Sequence, residues 1–221
     1  MKTLFLTVLG LFFIFRVSAE ELNTDTLVSN IENAWKKVNN YTLTMKTYSL
    51  KGDKKEESTI EQKFLKPIWI YAKIVDGHNK GSVGVYNPNT KKVKGHQGGI
   101  LKFIVLTLDP SDKKSSSIRG HRIDQSGCGT IVERIINCKK QDEFISISET
   151  KYEDKPAYLF TAEVKDTHEL WGAKKEKIWI NKETLLPLHL EQFSANDKLV
   201  HYSTYWNIEV NTGLTEEDFK P

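Results

Sequence analysis

The chain has 221 residues, 38% hydrophobic and 28% charged, with 32 Lys and Arg against 29 Asp and Glu, the balance of a globular protein and not of a disordered or fibrous one. The net charge of +3 is small and 28 of the basic residues are Lys, a solvated point charge that reads phosphates and bases less well than Arg, so nucleic acid is not an expected partner. Thirteen Gly and six Pro leave no room for a low-complexity linker, and one domain is the default expectation.

Met1-Lys2, the apolar run Leu4 to Phe15 and the small-residue end Val17-Ser18-Ala19 have the three parts of a secretory signal. Twelve apolar residues fall short of the roughly 20 that span a bilayer, so residues 1–19 read as a signal peptide cleaved after Ala19 and residues 20–221 as a single exported domain. No Cys lies near Ala19 to carry a lipid anchor.

Residues 22 to 38 place Leu27, Ile31, Ala34, Trp35 and Val38 at helical spacing, with Thr24 or Asp25 positioned to cap the start. The period then changes to two. Tyr41, Leu43 and Met45 alternate with polar residues, as do Ile68, Ile70, Ala72 and Ile74 beyond Pro67, the pattern of strands with one buried face. Asn40-Tyr41-Thr42 matches a glycosylation sequon. Val83 to Tyr86, the turn-forming Asn87-Pro88-Asn89-Thr90 and Lys91 to His96 predict a hairpin. Gly95-His96-Gln97-Gly98-Gly99 lacks the Gly-Lys-Ser/Thr ending of a phosphate loop and reads as a turn. Ile100 to Leu108 is too uniformly apolar for periodicity to decide, and its Ile and Val favour strand. Ser111 to Ser117 reads as a polar loop.

Gly127 to Lys139 predicts a second helix, with Ser126 as a candidate cap and Ile131, Val132, Ile135 and Ile136 on one stripe. That helix would hold Cys128 and Cys138 roughly 15 Å apart, out of disulfide reach, so both are expected as free thiols even in an exported chain. Cys128 at a helix start is a candidate nucleophile, against the plainer role of a small packed residue. The six His show no metal-ligand spacing. Neither a cofactor nor a complete catalytic constellation is expected, and the chain reads as a non-enzyme. Arg119, His121 and Arg122 could clamp a carboxylate or phosphate headgroup, or pin a loop by pairing with a neighbouring acid.

The second half repeats the alternation: Tyr158, Phe160, Ala162 and Val164; Ile178 and Ile180; Leu186, Leu188 and Leu190; Val200, Tyr202, Thr204, Trp206 and Ile208. Consecutive strands at short spacing favour antiparallel meanders. The predicted class is mainly β, in an α+β arrangement with few helices. A sheet of eight or more strands twists and curls, and its inner face is either filled by its own side chains or left as a cavity. Trp35, Trp69, Trp171, Trp179 and Trp206 supply core material or cavity wall.

Lys177-Ile178-Trp179-Ile180-Asn181 followed by Leu186-Pro187-Leu188, the strand Tyr202 to Val210 and the closing Asn211 to Phe219 resemble the LolA/LolB-like lipoprotein-carrier superfamily. Val93 to Pro110, Arg119 to Ile123 and Gly127 are similar to an uncharacterised bacterial exported family within that group. The resemblance spans about residue 25 to 219. It implies a strongly curved, incompletely closed antiparallel half-barrel with helices as a lid, an apolar cavity for acyl chains, a place in the bacterial envelope and no catalytic residues. No lid-locking arginine carries over to Arg119 or Arg122. The expected function is a soluble periplasmic carrier of a lipid or lipidated protein, with a membrane-associated donor or acceptor as a further partner. Strand alternation offers Leu43, Met45, Ile68, Ile70, Phe160, Ile180, Leu188 and Tyr202 as acyl-cavity wall. The alternative is an interaction or envelope-sensing module with a solid core.

Overall fold

The computed structural model describes residues 23–165, 170 and 172–221; the expected signal peptide, with His168 and Trp171, lies outside the described residues. Helix α1 (Thr24–Lys36) leads into strands β1 (Asn40–Lys51), β2 (Lys54–Leu65), β3 (Trp69–Gly77), β4 (Val83–Asn87), β5 (Lys92–His96) and β6 (Leu106–Leu108). Helix α2 (Cys128–Lys140) separates these from β7 (Phe144–Tyr152), β8 (Lys155–Glu163), β9 (Lys175–Asn181), β10 (Pro187–Phe193) and β11 (Leu199–Val210).

All eleven strands form one antiparallel sheet in the order β6-β5-β4-β3-β2-β1-β11-β10-β9-β8-β7. It is two meanders, β1 to β6 and β7 to β11, joined where the last strand pairs with the first, Tyr41 opposite Val210 and Ser49 opposite His201. The two edge strands, β6 and β7, stay unpaired with each other, so the barrel is open. Eight strand spacings separate β6 from β9, about 38 Å in a flat sheet. Residues of both nevertheless line one cavity, and the sheet is therefore strongly curved, as the sequence predicts.

The helices cover part of the concave face. Leu27, Val28 and Ile31 of α1 and Ile131, Val132 and Ile135 of α2 pack in one cluster with Tyr41, Leu43, Phe64, Ile70, Phe160 and Ile180 of the sheet. Gly129 permits the helix contact: a Cβ there would stand 2.6 Å from Cζ2 of Trp35. On the convex face the C-terminal segment packs Phe219 against Trp69, ring centres 5.9 Å apart.

Several local expectations shift. The cap of α1 is Asn23, whose Oδ1 accepts the Thr26 N–H at 2.9 Å, one residue before Thr24. Ser126 does not cap α2, because its hydroxyl accepts from Gln62 Nε2 at 3.0 Å and donates to the Ile123 carbonyl at 2.7 Å. The Tyr41 hydroxyl accepts the Cys128 N–H instead. Residues 100 to 108 are mostly not strand: Gly99–Phe103 is a 3-10 turn and only Leu106–Leu108 pairs, with β5. The predicted hairpin is β4–β5, with Asn87 Oδ1 accepting from the Asn89 N–H at 2.8 Å. Asn40 is buried and its Oδ1 accepts from Thr212, which hides the sequon.

Candidate functional site

The helices leave the rest of the concave face uncovered, and there the sheet, α2 and the 106–127 connection enclose a cleft of about 470 Å³, within the size range of small-ligand sites. Met45 of β1, Ile60 of β2 and Ala72 and Ile74 of β3 form one apolar wall. Val93, Leu106 and Leu108 extend it to the β6 edge, and Ile131 of α2 with Ile178 and Leu190 lie across from it.

The other end is polar and built on β9 to β11. His201 and His121 stack with ring centres 4.0 Å apart. Ser49 Oγ lies 3.1 Å from Nδ1 of His201 and Ser203 Oγ 3.2 Å from its Nε2, so both ring nitrogens have hydroxyl partners. Burial, and then the charge of Arg119, pushes the His201 pKa down to about 4. Burial also holds His121 well below the ordinary value, aided by His201 and Arg119. Neutral imidazoles therefore line this end at neutral pH.

Beside them Arg134 of α2 bridges two acids. Its Nε donates to Glu176 at 2.7 Å and its Nη1 to Glu143 at 2.7 Å, while Gln192 Nε2 donates to Glu176 at 2.9 Å. Burial raises the Glu176 pKa despite Arg134 and Gln192. Burial pushes the Glu143 carboxyl the same way, but the Lys165 N–H and Arg134 outweigh it and leave that pKa lowered. A buried network of this kind costs desolvation free energy, which its hydrogen bonds offset. Arg134, Glu176 and Gln192 all reach the cleft.

Of the residues that strand alternation offers as wall, Met45 lines the cleft. Leu43, Ile70, Phe160 and Ile180 belong to the core packed by the helices, and Ile68 rests against that core. Leu188 sits at a bulge between Pro187 and His189, buried outside the cleft lining. Tyr202 points to the opposite face, where its ring stacks on Tyr48 at 5.4 Å and its hydroxyl donates to Glu57 at 3.2 Å. The residues of β11 that face inward are His201, Ser203 and Tyr205. The pattern Tyr202, Thr204, Trp206 misleads because this stretch of inner face is polar.

Within the Arg119 cluster, His121 and Arg122 reach the cleft. Arg122 forms a two-pronged pair with Asp124 and Arg119 Nη1 donates to the Leu50 carbonyl at 3.2 Å. With the Ile118 N–H donating to Glu56 at 2.9 Å, the Arg119 bond holds the 115–122 segment over the ends of β1 and β2. Ile60, Leu106, Leu108, Arg134, Glu176 and Gln192 join the site without having stood out in the sequence. Glu176 and Gln192 carry a signal, since each is a charged or amide residue two positions from an apolar inward residue of its strand, Ile178 and Leu190.

Both cysteines are free and buried. Burial pushes the Cys128 thiol up to about 12, which removes the thiolate that nucleophilic catalysis requires at neutral pH. Among the described residues no group of three or more His, Cys, Asp or Glu is arranged to hold a metal ion, and no helix is long and apolar enough to cross a membrane.

No curated protein matches the chain. Its fold is similar to that of an uncharacterised conserved protein from Thermus thermophilus, at 12% identity over 89% of this chain and 92% of that one, with a TM-score of 0.55. It is also similar to the lipoprotein LppX from Mycobacterium tuberculosis, at 9% identity over 87% and 99% of the two chains, TM-score 0.52. A LolA superfamily protein from Nitrosomonas europaea matches over 90% and 98% at 9% identity, TM-score 0.39. The open, curved sheet with helices on its inner face agrees with the incompletely closed half-barrel expected from the sequence. A family model described as "Protein of unknown function (DUF1571)" matches residues 38–221, most of the chain, and the chain belongs to the DUF1571 family.

Proposed function

We propose that this protein is a non-catalytic carrier of the bacterial envelope that holds the hydrocarbon chain of a lipid or lipidated protein in the cleft. After cleavage at Ala19, residues 20–221 act as one soluble periplasmic domain, which exchanges its cargo with a membrane-associated donor or acceptor. The observation that carries this reading is the apolar wall of Met45, Ile60, Ala72, Ile74, Ile178 and Leu190 that lines the cleft, with Met45 and Ile178 shared with the core packed by the helices. An alkyl chain laid along it leaves water, gaining about 0.8 kcal/mol per CH₂. The serines, histidines and Gln192 at the far end offer hydrogen bonds to the ester or amide groups that join such a chain to its head. Leu43, Ile68, Ile70, Phe160, Ile180 and Leu188 serve as the packed support beside that wall.

Native mass spectrometry of protein purified from its own envelope tests the proposal. The expected result is a co-purified amphiphile, displaced by a fluorescent fatty acid and reduced severalfold in Ala72→Trp and Leu190→Trp, which fill the cleft. A protein that is reproducibly empty and ignores added lipids overturns it.

A further inference from the structure

The exposed side chains of the 99–108 segment form an apolar tip at the β6 edge of the sheet. Ile100 is 92% exposed and Phe103 82%, and Ile104 and Val105 are also exposed. Run together, bulky apolar residues on a surface mark an interaction site, whereas scattered ones do not. The stretch of sequence that carries the tip is also basic. From Gly77 to Leu108 the sequence holds five Lys and no Asp or Glu. Lys80 pairs with Asp76 and Lys92 with Asp109, while Lys91, Lys94 and Lys102 stand exposed. The Lys102 ammonium lies 5.1 Å from the centre of the Phe103 ring, so its stem can follow the apolar surface while its charge stays in water.

We infer that this tip docks the protein on an anionic bilayer, with Ile100, Phe103, Ile104 and Val105 entering the interface and the lysines facing lipid phosphates. A two-fold contact between copies would set like-charged lysines against each other, which disfavours a second chain as occupant. A protein partner would need a groove matching side chains that project singly, whereas a fluid interface closes around them. Apolar insertion and basic attraction together supply the two signals that reversible membrane binding requires. Leu106 is both the end of the tip and part of the cleft wall, so docking brings the cleft to the lipid surface. The docking itself does not depend on what the cleft holds.

Flotation of the purified protein with vesicles of phosphatidylcholine, alone or mixed with phosphatidylglycerol, tests it. The expected result is binding to the mixed vesicles, weakened by salt. Ile100→Ser with Phe103→Ser should lower partitioning about tenfold or more, and Lys94→Glu with Lys102→Glu at least about fivefold for each lysine. Ile145→Ser, on the exposed β7 edge, should leave it unchanged, as should the cleft-filling Ala72→Trp, which separates docking from cargo binding. The substituted side chains of the tip and of the β7 edge are exposed, Ala72 is half-buried in the cleft wall, and circular dichroism of each variant should match the parent. The inference is overturned if the Ile100/Phe103 variant floats like the parent, if the parent ignores phosphatidylglycerol vesicles, or if light scattering shows that the tip instead joins two copies and no vesicle binding occurs.

Discussion

The hydroxyl of Tyr41 on β1 accepts the backbone N–H of Cys128 at 3.1 Å and donates to Gln62 at 3.0 Å, so a strand side chain satisfies the first turn of α2. The Gly127 N-cap has no side chain for that role. Tyr41→Phe keeps the ring, stacked on Phe64 at 4.9 Å, but leaves a buried donor and acceptor unmet. The expected loss is about 1–3 kcal/mol in urea unfolding, and an unchanged midpoint would contradict the capping role.

Gly129 should behave against the usual helix rule. Gly→Ala in a helix interior ordinarily stabilises by roughly 0.5–1 kcal/mol. Here the new methyl meets the Trp35 ring at 2.6 Å, and Gly129→Ala is expected to destabilise by about 1–3 kcal/mol as the helices part. Thermal melting reads the sign directly.

Stability should fall as pH drops below about 6.5. His201 titrates near 4 when folded and near the ordinary 6.5 when unfolded, so the unfolded chain binds more protons between those values. Its contribution is complete above 6.5 and lost as pH falls, by roughly 3 kcal/mol. The lowered pKa of His121 adds in the same direction. Glu176, raised by burial, opposes them, since its contribution is present at low pH and lost as pH rises through its folded pKa. His201→Asn should flatten the pH dependence of the urea midpoint between 6.5 and 4, and a curve as steep as the parent's would refute this assignment.

Both thiols should resist alkylation. Burial pushes Cys128 and Cys138 each up to about 12, and neither reaches solvent in the folded chain. Iodoacetamide is expected to label them only through unfolding, at a rate that rises with urea in step with the global transition. Rapid labelling of Cys128 in the native protein would count against its place under Tyr41.

The residues that were legible in the sequence are those whose faces differ in polarity. Tyr41, Leu43 and Met45 alternate with Thr42, Thr44 and Lys46, and the helices lie within two residues of their predicted bounds because α1 and α2 bury one stripe each. Periodicity misled where burial and polarity part company. His201 and Ser203 face a polar cleft while Tyr202 packs outside on Tyr48, so the apolar-inward rule picks the wrong face. Ile100 to Val105 look like core yet lie exposed. The Arg134–Glu176 pair spans 42 residues, and no local pattern announces it.

The seam between β1 and β11 ties the beginning of the domain to its end, Tyr41 beside Val210. Loop closure over such a separation comes late and slowly. A nascent polypeptide therefore lacks the centre of its sheet until its final strand emerges. The sheet closes only once the whole domain is available to itself.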